Sequence, residues 1–254
     1  MIVIPMVGRS RRFLDAGYPV PKHQLMLWGR TVFAHAVSSF SGFFEQEEIL
    51  IVSLRQDGLS AFVSREMHEL GVRLWRLVEL PQMTLGQADT VMQGLQHASA
   101  AADQPITIFN IDTFRPGFEY PTNFDVTTVD GYLECFEGTG ANWSNVIPSE
   151  AGDCHVQRTS EKMQDSQYCC TGLYYFRRAG DMIEACVEAL EGRERTGSAG
   201  EVFVAPLYNS LISNGMDIRF SIVPIAEIVF CGVPEEYEAL KLVAAPSNPL
   251  RAKP

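Results

Sequence analysis

The 254 residues are enough for one large domain or two small ones, and for burying about 70–75% of the unfolded surface without disulfide or metal staples. An apolar fraction of 46% and a charged fraction of 20% exclude a disordered chain, a coiled coil and a collagen-like rod. The net charge of −11 disfavours nucleic acid and anionic membranes as partners.

The chain opens on an apolar, β-branched run, Met1–Val7, that reads as a buried strand. It is far shorter than the roughly 20 residues of a membrane helix, and no charged stretch precedes it, so neither a membrane span nor a secretory signal is expected. A polar loop, Gly8–Arg12, follows directly, and Gly17, Pro19 and Pro21 keep the chain turning as far as Lys22. Thr31 is the N-cap expected for a helix carrying Val32, Ala36, Val37 and Phe40 on one stripe. Strands are then predicted at Glu48–Ser53, Val72–Val78 and Pro105–Phe109, with helices over 58–70 and 84–97 between them. Alternating strand and helix predicts an α/β fold in three layers: a mixed, mainly parallel sheet with helices on both faces.

After Asp112 the rhythm changes. Strands are predicted over 125–136, 142–147, 155–159 and 168–176, with a turn near Gly152 and Asp153. Helices over 180–190 and 201–213, a strand over 217–223 and a closing helix over 234–243 complete the pattern. No repeat, linker or low-complexity tract interrupts it. One domain over 1–254 is expected, with a nucleotide half (1–112), a substrate half (113–243) and a frayed tail (244–254).

Open α/β sheets bind ligands beyond the carboxyl ends of their strands. Three loops should meet there: Gly8–Arg12, Leu80–Gln87 and Asn110–Asp112. The first 30 residues hold Arg9, Arg11, Arg12, Lys22 and Arg30 against one acid, Asp15, in an otherwise acidic protein. That island suits a small, highly charged anion, though solvated loop charge explains it too. Gly8 lets backbone N–H groups approach a phosphate, and arginines add forked donors. Asp112, just past a buried strand, suits a divalent ion or a simple turn. A glutamine in the second loop can read a nucleobase edge, since an amide both donates and accepts. Walker A, GxGxxG, GxSxG and HExxH patterns are absent. Six cysteines without a CxxC pair read as reduced thiols in the cytoplasm.

Taken together, Pro5–Phe13 and Ala16–Lys22 resemble the opening of the sugar-phosphate nucleotidyltransferases, which runs Gly-x-Gly, Ser or Thr, Arg, and later Pro-Lys-Pro, on a Rossmann-like, GT-A-type fold. Gly86–Val91 resembles that family's helix start, and Asn110–Asp112 resembles its metal-binding strand end. Glu161–Lys162, Thr171–Phe176 and Gly232–Glu235 resemble its sugar-site and C-terminal segments, so the likeness spans about residues 1–240. It implies an enzyme that joins a nucleoside triphosphate to a sugar phosphate, releasing pyrophosphate, with Mg2+ as cofactor. It further implies that Gly8, Arg9, Ser10 and Arg11 line the triphosphate, and that Arg12 and Lys22 are catalytic. Gln82, Gly86, Gln87 and Asn110 would serve the nucleotide, Glu161, Lys162 and Gly172 the sugar, and Asp112 the metal. Chains of this kind commonly pair as homodimers, and surface polysaccharide is an expected destination for the product. Three departures stand out: Ser10 replaces the second glycine, His23 replaces the proline after the lysine, and Phe230 stands where the family carries a second metal carboxylate. Glu227 is the nearby acid that could make up that loss if its side chain points inward, which the sequence does not show. The same scaffold also admits a non-catalytic nucleotide-sugar binder or a GT-A glycosyltransferase.

Overall fold

The computed structural model describes residues 1–150, 152, 154–197 and 200–244. The first half contains β1 (Ile2–Met6), α1 (Arg11–Asp15), β2 (Met26–Leu27), β3 (Arg30–Thr31), α2 (Val32–Ser38), β4 (Ile49–Leu54), α3 (Leu59–Glu69), β5 (Trp75–Leu80), α4 (Gln87–His97) and β6 (Ile106–Phe109). The second half contains β7 (Thr113–Phe114), β8 (Gly131–Glu137), β9 (Ser144–Pro148), β10 (Val156–Glu161), β11 (Tyr168–Phe176), α5 (Ala179–Thr196), α6 (Tyr208–Ser213), β12 (Ile218–Ile222), β13 (Val229–Phe230) and α7 (Pro234–Lys241).

One nine-stranded mixed sheet runs β10-β9-β11-β6-β1-β4-β5, with β8 beside β11 and β12 beside β8. Strands β6, β1, β4 and β5 are all parallel. Strand β11 is antiparallel to β6, β8 and β9, so it joins the parallel half to the antiparallel one. Period-two alternation sends neighbouring side chains to opposite faces. Val3, Leu50 and Val52 pack with α4 and α5, whereas Ile2, Ile4, Ile49 and Ile51 pack with α2 and α3. These two cores explain why β1 and β4 read as unbroken apolar runs.

Thr31 caps α2 as its sequence predicts, its hydroxyl accepting the Ala34 N–H at 3.0 Å. Other boundaries move for identifiable reasons. Part of the expected Gly8–Arg12 loop is helical, because Phe13 and Leu14 donate to the Ser10 carbonyl and start α1. Strand β5 begins at Trp75 because Val72 closes the end of α3, its N–H donating to the Met67 carbonyl. Residues 125–130 are not strand: the Asp125 carboxylate accepts from the Thr127 amide and hydroxyl in a side-chain-closed turn. The helix expected over 201–213 forms only from Tyr208, after a 3-10 turn at Ala205–Leu207. The Val202 backbone is already engaged by the Leu85–Ala88 loop, donating to the Leu85 carbonyl at 2.7 Å and accepting the Ala88 N–H at 3.1 Å. In the turn expected at 152–153, Asp153 lies outside the described residues, as do residues 245–254 of the expected tail.

Candidate active site

Parallel β1, β4, β5 and β6 end at one sheet edge, which gathers the loops starting at Val7, Arg55, Pro81 and Asn110. Gly8, Arg9, Arg11 and Arg12 are exposed there. Nearly every described arginine has a side-chain partner, such as Arg65, Arg76, Arg158 and Arg177. Arg9, Arg11, Arg12 and Arg55 are the exceptions: among the described residues, no side-chain hydrogen bond, ion pair or ring contact engages them. Unpaired guanidinium groups in an acidic chain are stored capacity for an anion. Arg55 was not singled out in the sequence. Its signal was its place directly after a buried strand at the binding edge.

Ser10 holds a left-handed conformation, φ 50° and ψ 35°. Its hydroxyl does not cap α1; it accepts the main-chain N–H of Lys22 at 3.1 Å. The Lys22 ammonium in turn donates to a carboxylate oxygen of Asp112, and each side chain of this ion pair is 20% exposed. The two groups at the centre of the sequence argument therefore meet, although 90 residues separate them. The Asp112 carbonyl accepts from the Cys231 N–H at 2.8 Å. Burial, with Asp112 and Glu236 nearby, pushes the Cys231 thiol up to about 12, so it stays protonated.

Phe230 does not approach Asp112 as a polar group; its ring packs 4.6 Å from Trp143 and 5.3 Å from Phe136. Glu227 does not make up the missing carboxylate. Its side chain pairs with Arg115 at 3.2 Å. The acid that sits near Asp112 is Glu236, which sequence reasoning missed. Gly232 separates the two: a Cβ built there would lie 3.1 Å from an Asp112 oxygen and 3.6 Å from a Glu236 oxygen. Glu236 accepts the N–H groups of Gly232 and Val233 and so anchors the start of α7. A glutamate just inside a Pro-started helix was the available signal.

A second set of ties joins the halves. The Gln87 amide donates to the Asn110 side-chain oxygen, and the Asn110 N–H donates to the Gly172 carbonyl at 3.2 Å. Gly172 has φ 95°, and a Cβ there would collide with the Asn110 amide, so only glycine fits. Gly86 (φ 136°) is held against Val202, whose backbone atoms lie 2.5 Å from the place of a Cβ. Its glycine character thus answers to packing. Gln82 is exposed, and among the described residues its side chain makes no contact with this network.

On the far side, the Glu161 carboxylate accepts from the Ser144 hydroxyl, and Ser144 also meets Tyr174 on β11. Burial raises the Glu161 pKa, opposed by that hydroxyl and by Lys162. Lys162 has φ 54°, and its ammonium lies 4.3 Å from the centre of the Phe203 ring. Beneath Gly172, Thr171 donates to Glu134, which Arg115 grips through Nε at 3.0 and 3.1 Å. The structure thus brings together Ser10, Lys22 and Asp112, and separately Gln87, Asn110 and Gly172. Arg9, Arg11, Arg12 and Gln82 share their edge without side-chain contact to them.

Comparison with solved structures matches this fold to known proteins. A nucleoside-diphosphate-sugar pyrophosphorylase from Vibrio cholerae is 40% identical, superposes with a TM-score of 0.89, and covers 96% of this chain and 100% of its own. The chain belongs to the sugar-phosphate nucleotidyltransferase family. More distant nucleotidyltransferases share the fold. The inositol-1-phosphate CTP transferase of T. maritima is 14% identical, covers 96% of this chain and 97% of its own, and has a TM-score of 0.70. A UDP-glucose pyrophosphorylase complexed with UDP-glucose is 13% identical, covers 95% and 96%, and has a TM-score of 0.70. No family model and no curated protein sequence matches the chain. Among the described residues, no helix is long and apolar enough to cross a membrane.

Proposed function

We propose that this nucleotidyltransferase transfers a nucleotidyl group from a nucleoside triphosphate to a sugar phosphate, forming a nucleotide sugar and pyrophosphate. The Lys22–Asp112 pair carries this reading, because it stands at the one edge that also holds unpaired arginines. An oxygen of the acceptor phosphate attacks the α-phosphorus, and pyrophosphate leaves. Such transfer needs mainly positioning and charge neutralisation. Arg9, Arg11 and Arg12 neutralise the triphosphate and the departing pyrophosphate. Lys22 turns its ammonium from Asp112 to the phosphates and draws the two substrates together. Gln87 and Asn110 fix the boundary between the nucleotide half and the acceptor half. Glu161 and Lys162 orient the sugar.

The residues fit a magnesium ion that arrives with the phosphates. Mg2+ ordinarily takes one or two carboxylates and completes its shell with phosphate and water. Asp112 supplies one partly exposed carboxylate whose side-chain partner is an ammonium. No group of three His, Cys, Asp or Glu side chains among the described residues could hold an ion without substrate. When bound, the metal would be held by Asp112 and would supply neutralisation of phosphate charge. Six free cysteines, five of them buried, support a reducing cytoplasmic setting for the enzyme.

The test is pyrophosphate release across a panel of nucleoside triphosphates and sugar phosphates, with and without Mg2+. At least one pair is expected to turn over with Mg2+ and to stall with a chelator. A folded protein that releases no pyrophosphate from any pair overturns the proposal.

A further inference from the structure

We propose that Ser10 is a positioning residue for Lys22, an inference that rests on the transferase reading above. A serine that precedes a helix normally turns its hydroxyl back to the amides of that helix. Ser10 precedes α1, yet its hydroxyl makes no bond to α1. The hydroxyl reaches across the loop to the Lys22 N–H instead, at 3.1 Å. Lys22 opens the 3-10 turn Lys22–Gln24, so this amide is one of the donors that a helical start leaves without an internal partner. Ser10 therefore caps a turn twelve residues away.

The backbone conformation belongs to this arrangement. At φ 50° a glycine would sit without strain, whereas a serine is held there against steric resistance from its own Cβ. Glycine would relieve that strain but has no oxygen to offer Lys22. The segment between the two residues contains Gly17 at φ 86°, and Ala16, Gly17 and Pro19 are exposed. Its middle is tied to the core by Phe13 and Tyr18, whose rings meet each other and Tyr237, while the tie at the Lys22 amide itself is the Ser10 hydroxyl. The hydroxyl closes that segment at its base. The Lys22 ammonium then reaches Asp112, and the Asp112 carbonyl receives Cys231. Phosphate loop, lysine turn, metal carboxylate and C-terminal segment thus form one hydrogen-bonded series that begins at Ser10. Ser10 touches no reacting atom through its side chain; it acts by where it holds Lys22.

The experiment compares wild type with Ser10→Ala, Ser10→Gly, Lys22→Ala and the Ser10→Ala/Lys22→Ala double variant. The first readout is amide hydrogen exchange at Lys22, which needs no turnover. Loss of the hydroxyl should speed exchange at this amide by about tenfold or more while the β1 and β4 amides stay protected. The second readout is pyrophosphate release with the substrate pair that wild type uses. Ser10→Ala should lower kcat by about tenfold and leave the KM for nucleotide within about threefold. Ser10→Gly should lose kcat as Ser10→Ala does, although its melting temperature equals or exceeds that of wild type. A merely structural residue would show the opposite coupling. The double variant should be no slower than Lys22→Ala alone, because Ser10 has nothing left to position. Unchanged protection at Lys22 overturns the proposal, as does full kcat without the hydroxyl, or losses that multiply in the double variant. A wild-type protein that turns over no pair counts against the transferase reading, and the Lys22 exchange rate then decides whether the Ser10 tie stands.

Discussion

The two sides of the proposed site are built on opposite principles. On the nucleotide side, the charged groups stand on a loop and on the short helix α1, and among the described residues three neighbouring guanidinium groups have no side-chain partner, so the local field is open to a ligand. On the acceptor side, the charges already have partners, and the central ones are buried. Arg115 and Glu134 are 5% and 3% exposed and locked together, and Glu161 holds Ser144. In the proposed reading, the first arrangement serves binding and the second serves folding. The second holds β7, β8 and β11 in place so that Gly172 can press against Asn110. Substitutions on the two sides should therefore separate activity from stability.

The largest expected effects show this separation most directly. Lys22→Ala should reduce turnover by about a hundred- to ten-thousand-fold, the range for removing one charge-stabilising group. Its cost in folding should stay below about 1 kcal/mol, because water reaches the partly exposed Asp112 carboxylate. Steady-state pyrophosphate release and urea denaturation check both halves of that statement. Arg115→Ala should do the reverse at the level of folding. It strands Glu134 in the core, where the loss of one partner of a buried pair costs about 3–5 kcal/mol. The same urea titration reads it. Equal stability losses in the two variants would erase the distinction between the sides. Gly172→Ala belongs between them, lowering stability by about 2–4 kcal/mol through left-handed strain and the collision with Asn110. It should reduce activity as well, since Asn110 carries Gln87.

The parallel half was legible because its signals are local. Buried runs such as Ile49–Val52 and the capped start of α2 announce themselves within a few residues. The second half was harder. Asp125 looked like the start of a strand, yet it closes a turn on Thr127. Val202 and Val204 looked helical, yet the backbone of Val202 bonds to a loop more than a hundred residues earlier. The candidate site divides along the same line. Convergence of three loops at one edge followed from topology, whereas the meeting of Lys22 with Asp112 was implied by the family resemblance. The ties that set the geometry followed from neither, because a hydroxyl reaching an amide twelve residues away leaves no spacing pattern. Nor does a sequence display the backbone angle of Ser10, or show that Glu227 turns to Arg115 while Glu236 faces Gly232.

A smaller effect concerns acid. His23 is buried beside Lys22, its Nε2 has no hydrogen-bond partner among the described residues, and burial lowers its pKa to about 4, with the Lys22 charge acting in the same direction. The unfolded histidine titrates near 6.5, so below that pH the unfolded chain binds a proton that the folded chain refuses. Stability is therefore whole above pH 6.5 and falls as the pH drops toward 4. The loss should reach about 2 kcal/mol by pH 5. Melting temperature against pH should show this slope in wild type and a flatter one in His23→Leu. An unchanged slope would assign the acid sensitivity to other groups.

The smallest effect tests how far the unpaired field extends. Arg55 follows β4 at the binding edge, and its N–H is fixed to the Leu80 carbonyl at 2.8 Å, beside the loop that carries Gln82. It lies on a different strand from Arg9, Arg11 and Arg12, so it reports on the outer margin of the nucleotide side. Arg55→Ala should raise the KM for nucleoside triphosphate by about two- to tenfold, as expected for one exposed charge, with kcat and melting temperature unchanged. The rise should shrink as salt is added, because an exposed charge acts through a screened field. Arg73 is the control: it is 78% exposed but paired with Glu45 at 3.6 Å, so its charge is already answered. If Arg55→Ala and Arg73→Ala leave the KM equally untouched, the functional field ends at the first loop. If only Arg55→Ala raises it, the missing side-chain partner is the property that separates a binding arginine from a solvated one in this protein.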